Sequence, residues 1–217
     1  MISSVTNPYK IKIHEFSDII LDDSAYSSDE YWDFINFKGD VIVDLGCGAC
    51  NFLRQYAERS PNTRFVGFEL RFKRLHKGAG KFKKRDLKNI RLVRDKAENI
   101  EKWFHAGTVT QVNINFPDPW AKRRQLKHRL ITIDYLKTLH RLLNKNGNCC
   151  FKTDHPSYFM SVVELIRGMS EFEIIEYSED LQNSVYNEAN IPTEFEQLFN
   201  SKGIPTYYLK LKPKQIV

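Results

Sequence analysis

Long apolar runs are absent from this sequence of 217 residues. No stretch approaches the roughly 18 apolar residues that a membrane-spanning helix needs, so the sequence predicts no transmembrane helix and no membrane partner. The N-terminal segment also lacks the unbroken apolar stretch of a secretory signal, and we therefore expect a cytoplasmic protein. Four cysteines are too few to indicate a disulfide framework in a chain of this length.

Glycine and proline are also scarce, with 10 and 8 residues, which excludes a fibrous or low-complexity protein. Side chains that can pack are plentiful instead: 41% of the residues are hydrophobic, and the aromatic residues include 15 Phe, 10 Tyr and 3 Trp. This composition can build a buried core and excludes a disordered chain. The length fits one ordinary domain with a short extension.

Acidic residues are nearly missing from two segments that carry much of the positive charge. Residues 71–88 contain nine Lys and Arg and one acidic residue, and residues 121–129 contain five Lys and Arg and no acidic residue. The rest of the chain has 19 basic and 26 acidic residues, although the net charge of the whole chain is +6. Two basic segments on an acidic body indicate a polyanionic partner. Solvated, lysine-rich helix faces are the alternative interpretation.

Short β-branched runs alternate along the chain with segments of helical periodicity. The strand-like runs lie at 41–45, 64–69, 90–93, 109–116, 149–153, 172–177 and 206–211. The helix-like segments begin with a capping box at Ser27 and Glu30 and continue at 51–57, 71–86, 97–105, 129–143 and 157–169. This order predicts one α/β domain at 27–217, with about seven mostly parallel strands and helices on both faces, preceded by an extension at 1–26.

A glycine-containing turn follows the first predicted strand. Asp44 is followed by Gly46 and Gly48, at the strand end where open α/β sheets bind ligands. Glycines there let the backbone approach a ligand closely. Glu69 ends the next strand 21 residues after Gly48, which is the spacing at which an acidic side chain accepts hydrogen bonds from ribose hydroxyls. The pattern predicts a nucleoside-containing cofactor.

The residues around this turn favour S-adenosylmethionine over a dinucleotide. Dinucleotide-binding turns have a third glycine where this sequence has Asn51, and they hold a pyrophosphate that would repel Asp44. Asp44 suits the amino group and sulfonium of the cationic cofactor, and its alternative role is to cap the turn. We interpret Cys47 and Cys50, which lie inside the turn, as small buried side chains and expect no metal site.

Asp118 lies between two prolines directly after a predicted strand. Pro117 and Pro119 restrict the backbone, so the carboxylate and the indole of Trp120 are presented rigidly at the end of the strand. The second basic segment follows at once. A turn that starts an exposed basic helix is the alternative interpretation, but it leaves the two prolines and the tryptophan without a role.

The segment Asn115–Leu130, NFPDPWAKRRQLKHRL, closely resembles the signature of the bacterial tRNA (guanine-N7)-methyltransferases, the TrmB family. Thr153–Tyr158 (TDHPSY) resembles the family motif after the fifth strand, and Thr193–Glu196 (TEFE) resembles its C-terminal T-x-F-E element. The resemblance implies a Rossmann-like, S-adenosylmethionine-dependent methyltransferase fold. It also implies transfer of a methyl group to N7 of a guanine in tRNA, at position 46 of the variable loop, with S-adenosylhomocysteine as the product.

The resemblance also implies roles for individual residues. It places the cofactor beside Asp44, Gly46, Gly48, Glu69, Asp95, Lys96 and Asp118, and it makes Asp118 the catalytic carboxylate as well. It places the tRNA substrate beside Lys122, Asp154, Thr193, Glu194, Phe195 and Glu196. The chain departs from the family at three positions: Ala121 replaces a proline, Cys50 replaces a third glycine, and Lys96 replaces an aspartate that contacts the adenine. Either Asp95 or backbone groups would then hold the adenine.

The chemistry of guanine N7 suits a carboxylate that does not act as a base. N7 has a lone pair and no proton, so its methylation needs alignment and electrostatic stabilisation rather than proton removal. Asp118 would stabilise the positive charge that forms on the ring, and it could accept hydrogen bonds from the guanine N1–H and N2–H groups. Trp120 would stack on the base or pack under the cofactor.

Two other functions are compatible with the same residues. The glycine turn and Glu69 suit equally well a methyltransferase that acts on another RNA site or on a small molecule. A noncatalytic RNA-binding protein on this fold is the second alternative, and Cys50 and Lys96 are the residues that point to it. The glycine turn disfavours a nicotinamide-dependent oxidoreductase. The sequence leaves the oligomeric state open.

Overall fold

The computed structural model describes residues 7–22 and 28–215 of the chain. Eight strands in these residues form one sheet: β1 (Ile20–Leu21), β2 (Val41–Leu45), β3 (Arg64–Phe68), β4 (Ile90–Val93), β5 (Val109–Asn115), β6 (Leu143–Thr153), β7 (Phe172–Ser178) and β8 (Tyr207–Pro213). Their order across the sheet is β1-β4-β3-β2-β5-β6-β8-β7. Neighbouring strands are parallel from β1 across to β6, whereas β8 is antiparallel to both β6 and β7.

Helices cover both faces of the sheet, as the sequence predicted. The α-helices in the described residues are α1 (Tyr9–Lys12), α2 (Asp29–Ile35), α3 (Asn51–Arg59), α4 (Phe72–Lys84), α5 (Ile133–Leu142), α6 (Pro156–Arg167) and α7 (Glu194–Asn200). Short 3₁₀ helices lie at Ile13–Phe16, Ala97–Lys102, Arg123–His128, Leu181–Asn183 and Val185–Asn187. Helices α2, α5 and α6 contribute to the core on one face, and α3, α4 and the segment Ile13–Phe16 to the core on the other.

Strand β2 lies at the centre of the sheet, and all five of its residues are buried. Val41, Val43 and Leu45 belong to the core on one face, and Ile42 belongs to the core on the other. Burial on both faces explains why this parallel strand is apolar in the sequence except at Asp44. The chain continues from β2 to β3 on one side, while β5 pairs with β2 on the opposite side. Such a reversal of strand order is where α/β sheets bind their ligands.

The sheet has one strand more than the sequence predicted. Strand β1 extends the edge of the sheet through the pairs Ile20–Leu92 and Leu21–Val93. A run of two residues is too short to show a period of two in the sequence. The strand belongs to segment 1–26, whose structure the sequence left open, and the domain boundary before residue 27 stays a prediction.

The helix predicted at 129–143 is shorter in the structure, so this boundary was wrong. Helix α5 begins only at Ile133. Thr132 caps it, because its hydroxyl accepts a hydrogen bond from the backbone N–H of Tyr135 at 3.2 Å. Apolar residues before Ile133 happen to lie at helical spacing, but the cap determines where the helix starts.

The starts of strand β6 and of helix α2 also differ from the prediction. Strand β6 begins at Leu143, directly after α5, whereas the sequence predicted its start at Cys149. A register shift in the pairing with β5 accommodates the additional residues. Ser27 of the predicted capping box lies outside the described residues. The residue that caps α2 is Ser28, whose hydroxyl accepts a hydrogen bond from the Tyr31 N–H at 3.4 Å.

In the part of the chain that the structure describes, no helix is both long and apolar enough to cross a bilayer. The same residues include no group of three or more His, Cys, Asp or Glu side chains placed to hold a metal ion. The cytoplasmic location stays a prediction from the sequence.

Candidate active site

Five acidic residues of the predicted site lie at, or a few residues after, the ends of five parallel strands at one edge of the sheet. Asp44 lies in β2, Glu69 follows β3 and Asp95 follows β4. Asp118 follows β5 and Asp154 follows β6. Parallel pairing therefore brings acidic side chains from distant parts of the chain to the edge where this class of sheet binds ligands.

The turn between β2 and α3 is held open by backbone geometry. Gly46 and Gly48 have φ angles of +80° and +58°, in the left-handed region that favours glycine. The N–H groups of Gly46 and Cys47 both donate to the Phe68 carbonyl, at 3.0 and 2.9 Å, which ties the turn to the end of β3. A Cβ on Gly46 would meet none of the described atoms within 4 Å. The space beside the turn is therefore open to a ligand.

Cys50 takes the place of the third glycine without disrupting the turn. Its φ angle is +61°, so the residue adopts the left-handed conformation despite its side chain. The thiol packs against α4 at Gly78, where a Cβ would lie 2.6 Å from the Cys50 Sγ. Gly78 therefore makes room for Cys50. The Sγ atoms of Cys47 and Cys50 lie 3.5 Å apart, and both residues are buried, as the sequence predicted.

Asp44 is buried near the end of β2, directly before the turn, with 2% of its surface exposed. Its Oδ1 accepts a hydrogen bond from the Asn115 side chain at 3.1 Å. Burial raises the pKa of Asp44 to about 7, against smaller opposing effects of the Asn115 hydrogen bond and the Lys152 charge. A cationic ligand group at this position would supply the counter-charge that the buried carboxylate needs.

Glu69 is fixed at the end of β3. Its Oε1 accepts a hydrogen bond from the Arg71 N–H at 2.9 Å, and its Oε2 accepts one from the Arg74 guanidinium at 3.3 Å. Each carboxylate oxygen has a second lone pair, so Glu69 can still accept hydrogen bonds from a ligand. Arg74 belongs to the first basic segment, and this contact shows that part of the segment supports the site itself.

Asp95 has an internal role that the sequence did not indicate. Its Oδ1 accepts hydrogen bonds from the Lys96 N–H and the Asn99 side chain, both at 2.7 Å, and its Oδ2 accepts one from the Trp103 indole at 3.0 Å. Burial would raise the pKa of Asp95, but these three hydrogen bonds outweigh it, and the pKa lies below its ordinary value. The side chain of Lys96 is exposed. Of the two options for holding the adenine, this arrangement favours backbone groups.

Asp118 is exposed in a segment whose backbone is tightly constrained. Phe116 and Trp120, on either side of the Pro-Asp-Pro sequence, have φ angles of +50° and +43°. A non-glycine residue in this region costs about 1–3 kcal/mol and persists where its surroundings determine the backbone. The Phe116 N–H donates to the Lys152 carbonyl at 2.8 Å. The Trp120 ring lies 5.3 Å from the His128 ring, centroid to centroid.

Helix α7 is built from the TEFE element. Thr193 caps the helix, because its hydroxyl accepts a hydrogen bond from the Glu196 N–H at 3.0 Å. Glu196 completes the capping box with the Thr193 N–H. Both residues are buried, with Glu196 only 1% exposed, whereas Glu194 and Phe195 are exposed. The four predicted substrate contacts of the TEFE element thus divide into two that shape the helix and two that reach the surface.

Lys152 lies beneath α7 and is a site residue that the sequence analysis missed. Its ammonium group donates to the Glu196 carboxylate at 2.8 Å and to the Ile191 carbonyl at 3.3 Å, and it also contacts Asn190. The ion pair is buried on both sides. The available signal was a single lysine inside the apolar strand sequence Cys149–Thr153. A charge in such a strand requires a buried partner.

Helix α7 is also tied to the glycine turn. The Asn51 side chain donates to the Glu194 carboxylate, and it accepts a hydrogen bond from the Lys81 ammonium group. Lys81 donates to the Ala49 carbonyl at 2.8 Å as well. The Phe195 ring lies 6.1 Å from the ring of Phe116, at the start of the Asp118 segment. The turn, the Asp118 segment and α7 therefore form one connected site.

Two predicted substrate contacts lie at the border of this site. Asp154 is partly buried after β6, beside His155, whose Nδ1 accepts a hydrogen bond from the Tyr158 N–H and caps α6. Lys122 is exposed and precedes the 3₁₀ helix Arg123–His128. The other exposed basic residues of the two segments are Arg71, Lys73, Lys77, Lys83, Lys84, Arg85, Lys88, Arg123, Arg124 and Lys127.

The residues of the turn fit a cationic nucleoside. Asp44 is a buried carboxylate without a directly paired ammonium or guanidinium group among the described residues, which suits a ligand that brings a positive charge. Glu69 retains acceptor capacity for a ribose, and the side of Gly46 is open. A pyrophosphate would face the carboxylate of Asp44, so the geometry does not favour a dinucleotide.

The sequence matches a protein family described as "Putative methyltransferase" over residues 38–209. A bifunctional glycosyltransferase/methyltransferase of Fusobacterium nucleatum is 39% identical over 199 residues, covering 90% of this chain and 31% of that protein. A tRNA (guanine-N(7)-)-methyltransferase of Mycoplasma genitalium is 37% identical and covers 86% of this chain and 90% of that protein. A tRNA (guanine-N(7)-)-methyltransferase of Listeria monocytogenes is 32% identical, with 94% of each chain covered.

Solved structures show the same fold at low sequence identity. The 16S rRNA methyltransferase KamB superposes with a TM-score of 0.66 at 13% identity, covering 87% of this chain and 94% of that chain. A methyltransferase of Streptococcus mutans in complex with SAH superposes with a TM-score of 0.55 at 14% identity, covering 97% and 99%. At these identities the likeness concerns the fold.

Proposed function

The chain belongs to this methyltransferase family and, by its similarity over most of their length, to the tRNA (guanine-N7)-methyltransferases; on that premise we propose that it transfers a methyl group from S-adenosylmethionine to N7 of a guanine in tRNA. The proposed acceptor is the guanine at position 46, in the variable loop. The observation that carries the proposal is the position of Asp118, an exposed carboxylate on a constrained backbone that follows β5, the strand paired with the Asp44-containing strand β2.

We expect the donor site to be formed by the turn after β2 and the end of β3. S-adenosylmethionine supplies an electrophilic methyl group on a sulfonium and leaves S-adenosylhomocysteine as the product. Asp44 would pair with its amino group, and Glu69 would accept hydrogen bonds from the ribose hydroxyls. Gly46 and Gly48 would let the backbone contact the ligand closely. Backbone groups near Asp95 would hold the adenine, because the Asp95 carboxylate already accepts hydrogen bonds from the Lys96 N–H, the Asn99 side chain and the Trp103 indole.

Asp118 would act on the guanine through its charge and its position. N7 carries a lone pair and no proton, so the site needs no general base. The carboxylate would accept hydrogen bonds from N1–H and N2–H and stabilise the positive charge that develops on the ring. Trp120, directly after the second proline, would contact the base or the donor. The constrained backbone keeps the carboxylate in place before the substrate arrives.

The other predicted substrate contacts would act in two ways. Glu194 and Phe195 are exposed on α7 and would contact the RNA, together with Lys122 and Asp154. Thr193 and Glu196 would act by shaping the helix, since both are buried. The two basic segments would contact phosphates of the tRNA without reading its sequence.

A labelled-methyl assay on unmodified tRNA tests the proposed function. The protein is incubated with radiolabelled S-adenosylmethionine and bulk tRNA, and the labelled base is then identified and mapped. We expect 7-methylguanosine at position 46. A matched reaction with Asp118→Asn controls for methylation by a contaminant, since the variant should incorporate label ~10²–10³-fold more slowly.

Each other result of this assay identifies a different function. Label on another base or position would contradict the proposal and indicate a methyltransferase that acts on another RNA site. No label, together with tight binding of tRNA, would indicate the noncatalytic RNA-binding protein. Calorimetry with S-adenosylhomocysteine then shows whether the donor site is intact.

A further inference from the structure

Arg129 belongs to the second basic segment, but the fold uses its guanidinium group internally. The Nε donates a hydrogen bond to the Pro119 carbonyl at 2.8 Å, and Nη1 donates to the Ser161 hydroxyl at 2.9 Å. Arg129 is partly buried, whereas Arg124 and Lys127 of the same segment are exposed. A planar guanidinium has its donors in fixed directions and can therefore set the relative positions of two acceptors, whereas the ammonium group of a lysine rotates freely on a flexible side chain.

The residues of α6 that contact Arg129 are a rigid part of the fold. Its guanidinium lies over the Tyr158 ring, 4.4 Å from the centroid. Tyr158 is fully buried in α6, and its hydroxyl accepts a hydrogen bond from the Ile131 N–H at 3.3 Å. Ser161, one turn further along α6, donates to the Tyr158 carbonyl at 2.7 Å. Arg129 therefore connects the Pro119 carbonyl to a helix that packs in the core.

The Asp118 segment has a distinct anchor on each side. Before the carboxylate, the Phe116 N–H donates to the Lys152 carbonyl in β6. After it, the Pro119 carbonyl is held by Arg129. Trp120 follows with a φ angle of +43°, a conformation that its surroundings must maintain. The Arg129 contact fixes the peptide group directly between the carboxylate and this residue.

We infer that Arg129 is a positioning residue, which acts through Pro119 to set the directions of Asp118 and Trp120, and that it does not bind a tRNA phosphate. The inference rests on the proposed function for its effect on catalysis. It divides the second basic segment into exposed residues that contact RNA and one residue that holds the Asp118 segment.

Steady-state kinetics of Arg129→Ala, with Lys127→Ala as the matched control, tests this role. Misplacement of a reacting group by about 1 Å can lower the rate ~10²-fold, so we expect a fall in kcat of that size for Arg129→Ala. Its KM for tRNA should change less than threefold, and the slope of log K against log salt should equal the wild-type slope. Lys127→Ala should show the opposite pattern, with a higher KM and a slope reduced by ~0.7–0.9.

Two further measurements separate positioning from a general loss of structure. Free guanidinium ion, added at concentrations that leave the fold intact by circular dichroism, should restore part of the kcat of Arg129→Ala and none of that of Asp118→Asn. Arg129→Lys keeps the charge and should remain folded. It should still show most of the kcat loss, because a rotatable ammonium on a flexible side chain cannot fix both acceptors in the geometry that the planar guanidinium imposes.

Acrylamide quenching of Trp120 fluorescence gives a readout that does not depend on activity. The signal is the difference between each protein and its Trp120→Phe counterpart, since the chain contains three tryptophans. Loss of the Arg129 anchor should increase the quenching of Trp120, even if the wild-type protein methylates a different substrate. If the wild-type protein forms no 7-methylguanosine, that result contradicts the proposed function but not the inference about Arg129.

Two results would overturn the inference about Arg129. One is a kcat of Arg129→Ala within twofold of the wild type, with unchanged quenching of Trp120. The other is a salt slope that falls as much as in Lys127→Ala, because that would make Arg129 a phosphate contact.

Discussion

Asp44 unites a buried position with a need for positive charge. The residue lies in a strand that is buried on both faces, and burial raises its pKa to about 7. Near neutral pH the carboxylate is therefore close to its titration midpoint in the free protein. Any ligand that brings a cation to Asp44 will favour the ionised form.

We predict that the affinity for S-adenosylhomocysteine rises with pH through about 7, because Asp44 is neutral below this pH and charged above it. The amino group of the ligand stays cationic over this range. Isothermal titration calorimetry at intervals from about pH 5.5 to pH 8.5 measures the change. Asp44→Asn should bind more weakly, with a nearly constant affinity. A wild-type profile as flat as that of the variant would contradict the assignment.

The raised pKa of Asp44 also affects the stability of the free protein, which should fall with rising pH where the ligand affinity rises. The folded-state pKa of Asp44, about 7, lies above its ordinary value of 3.8. Between these values the native state keeps a proton that the unfolded state releases. The free energy of unfolding should therefore fall as the pH rises, by up to about 1.4 kcal/mol per pH unit from this group. Urea titrations of the wild type and Asp44→Asn across this range should diverge accordingly, and parallel curves would count against it.

Asp118 offers a prediction about rate rather than affinity. Asp118→Asn keeps the shape of the side chain and removes its charge, so we expect kcat to fall ~10²–10³-fold with little change in tRNA affinity. Single-turnover rates at saturating tRNA, combined with filter binding, separate the two effects. An unchanged single-turnover rate would remove Asp118 from the mechanism.

The sequence predicts the residues that have a recognisable position and misses those that act through contacts. Asp44 and Glu69 follow strand ends at a known spacing, and both lie at the sheet edge as expected. Lys152 could be flagged only as a charge in an apolar strand, because its partner Glu196 is 44 residues away. Arg129 looked like its basic neighbours, since the sequence does not show which guanidinium points inward.

Helix α4 contains two glycines that weaken its helical pattern, and the structure separates their roles. A Cβ on Gly78 would lie 2.6 Å from the Cys50 Sγ and 3.2 Å from Leu92. A Cβ on Gly80 would meet only the edge of the Phe16 ring among the described atoms, at 3.8 Å, which is an ordinary contact. The first glycine is required by the close approach of the glycine turn, and the second is not.

We predict that Gly78→Ala destabilises the protein by about 1–3 kcal/mol through this overlap. Gly80→Ala is the matched control, and it should be neutral or stabilising by up to about 1 kcal/mol because alanine favours the helix. The double variant Gly78→Ala with Cys50→Ala should recover part of the loss. Chemical denaturation of the four proteins measures these differences. Equal stability of the two single alanine variants would show that α4 and the turn can move apart without cost.

A recognisable cap in the sequence indicates where a helix begins, and the predicted start of a helix was wrong where no such cap is recognisable. The capping box of α7 is present in the sequence as Thr193 and Glu196, and the structure forms it. Helix α5 was placed too early because Leu130 continues its apolar period, while the cap at Thr132 is a common residue without a distinctive pattern. Strand β1 was missed because two residues show no periodicity.

At the scale of the whole molecule, exposed lysines of the first basic segment lie near the edge of the sheet that holds the proposed site. Helix α4 begins at Phe72, three residues after Glu69, so its first half lies nearest the edge of the sheet that holds the site. Lys73 and Lys77 are exposed there. Lys38 and Lys145 are exposed near the starts of β2 and β6, at the opposite edge.

We predict that Lys73→Gln with Lys77→Gln lowers the salt dependence of tRNA binding. Loss of two phosphate contacts reduces the slope of log K against log salt by ~1–2. The control Lys38→Gln with Lys145→Gln removes the same charge at the opposite edge and should leave the slope near the wild-type value. Equal effects of the two pairs would return the first basic segment to the interpretation of a solvated helix face.

The sequence predicted the composition of the sheet better than its arrangement. Alternating strands and helices indicated an α/β sheet, because burial of parallel strands leaves continuous apolar runs. The order of the strands depends on which faces of the helices pack together, and the linear pattern contains no such information. The resemblance to a family provided what the periodicity of this one chain could not.

Lys152 imposes a constraint on how this protein can change. Its ammonium group neutralises Glu196 beneath one helix, and its field simultaneously lowers the proton affinity of Asp44 two strands away. An evolving or redesigned chain that replaces Lys152 with an apolar residue must therefore also replace Glu196, and even then Asp44 would retain its proton to a higher pH. A change in the pH at which the protein works would therefore require coordinated changes of Lys152, Glu196 and Asp44.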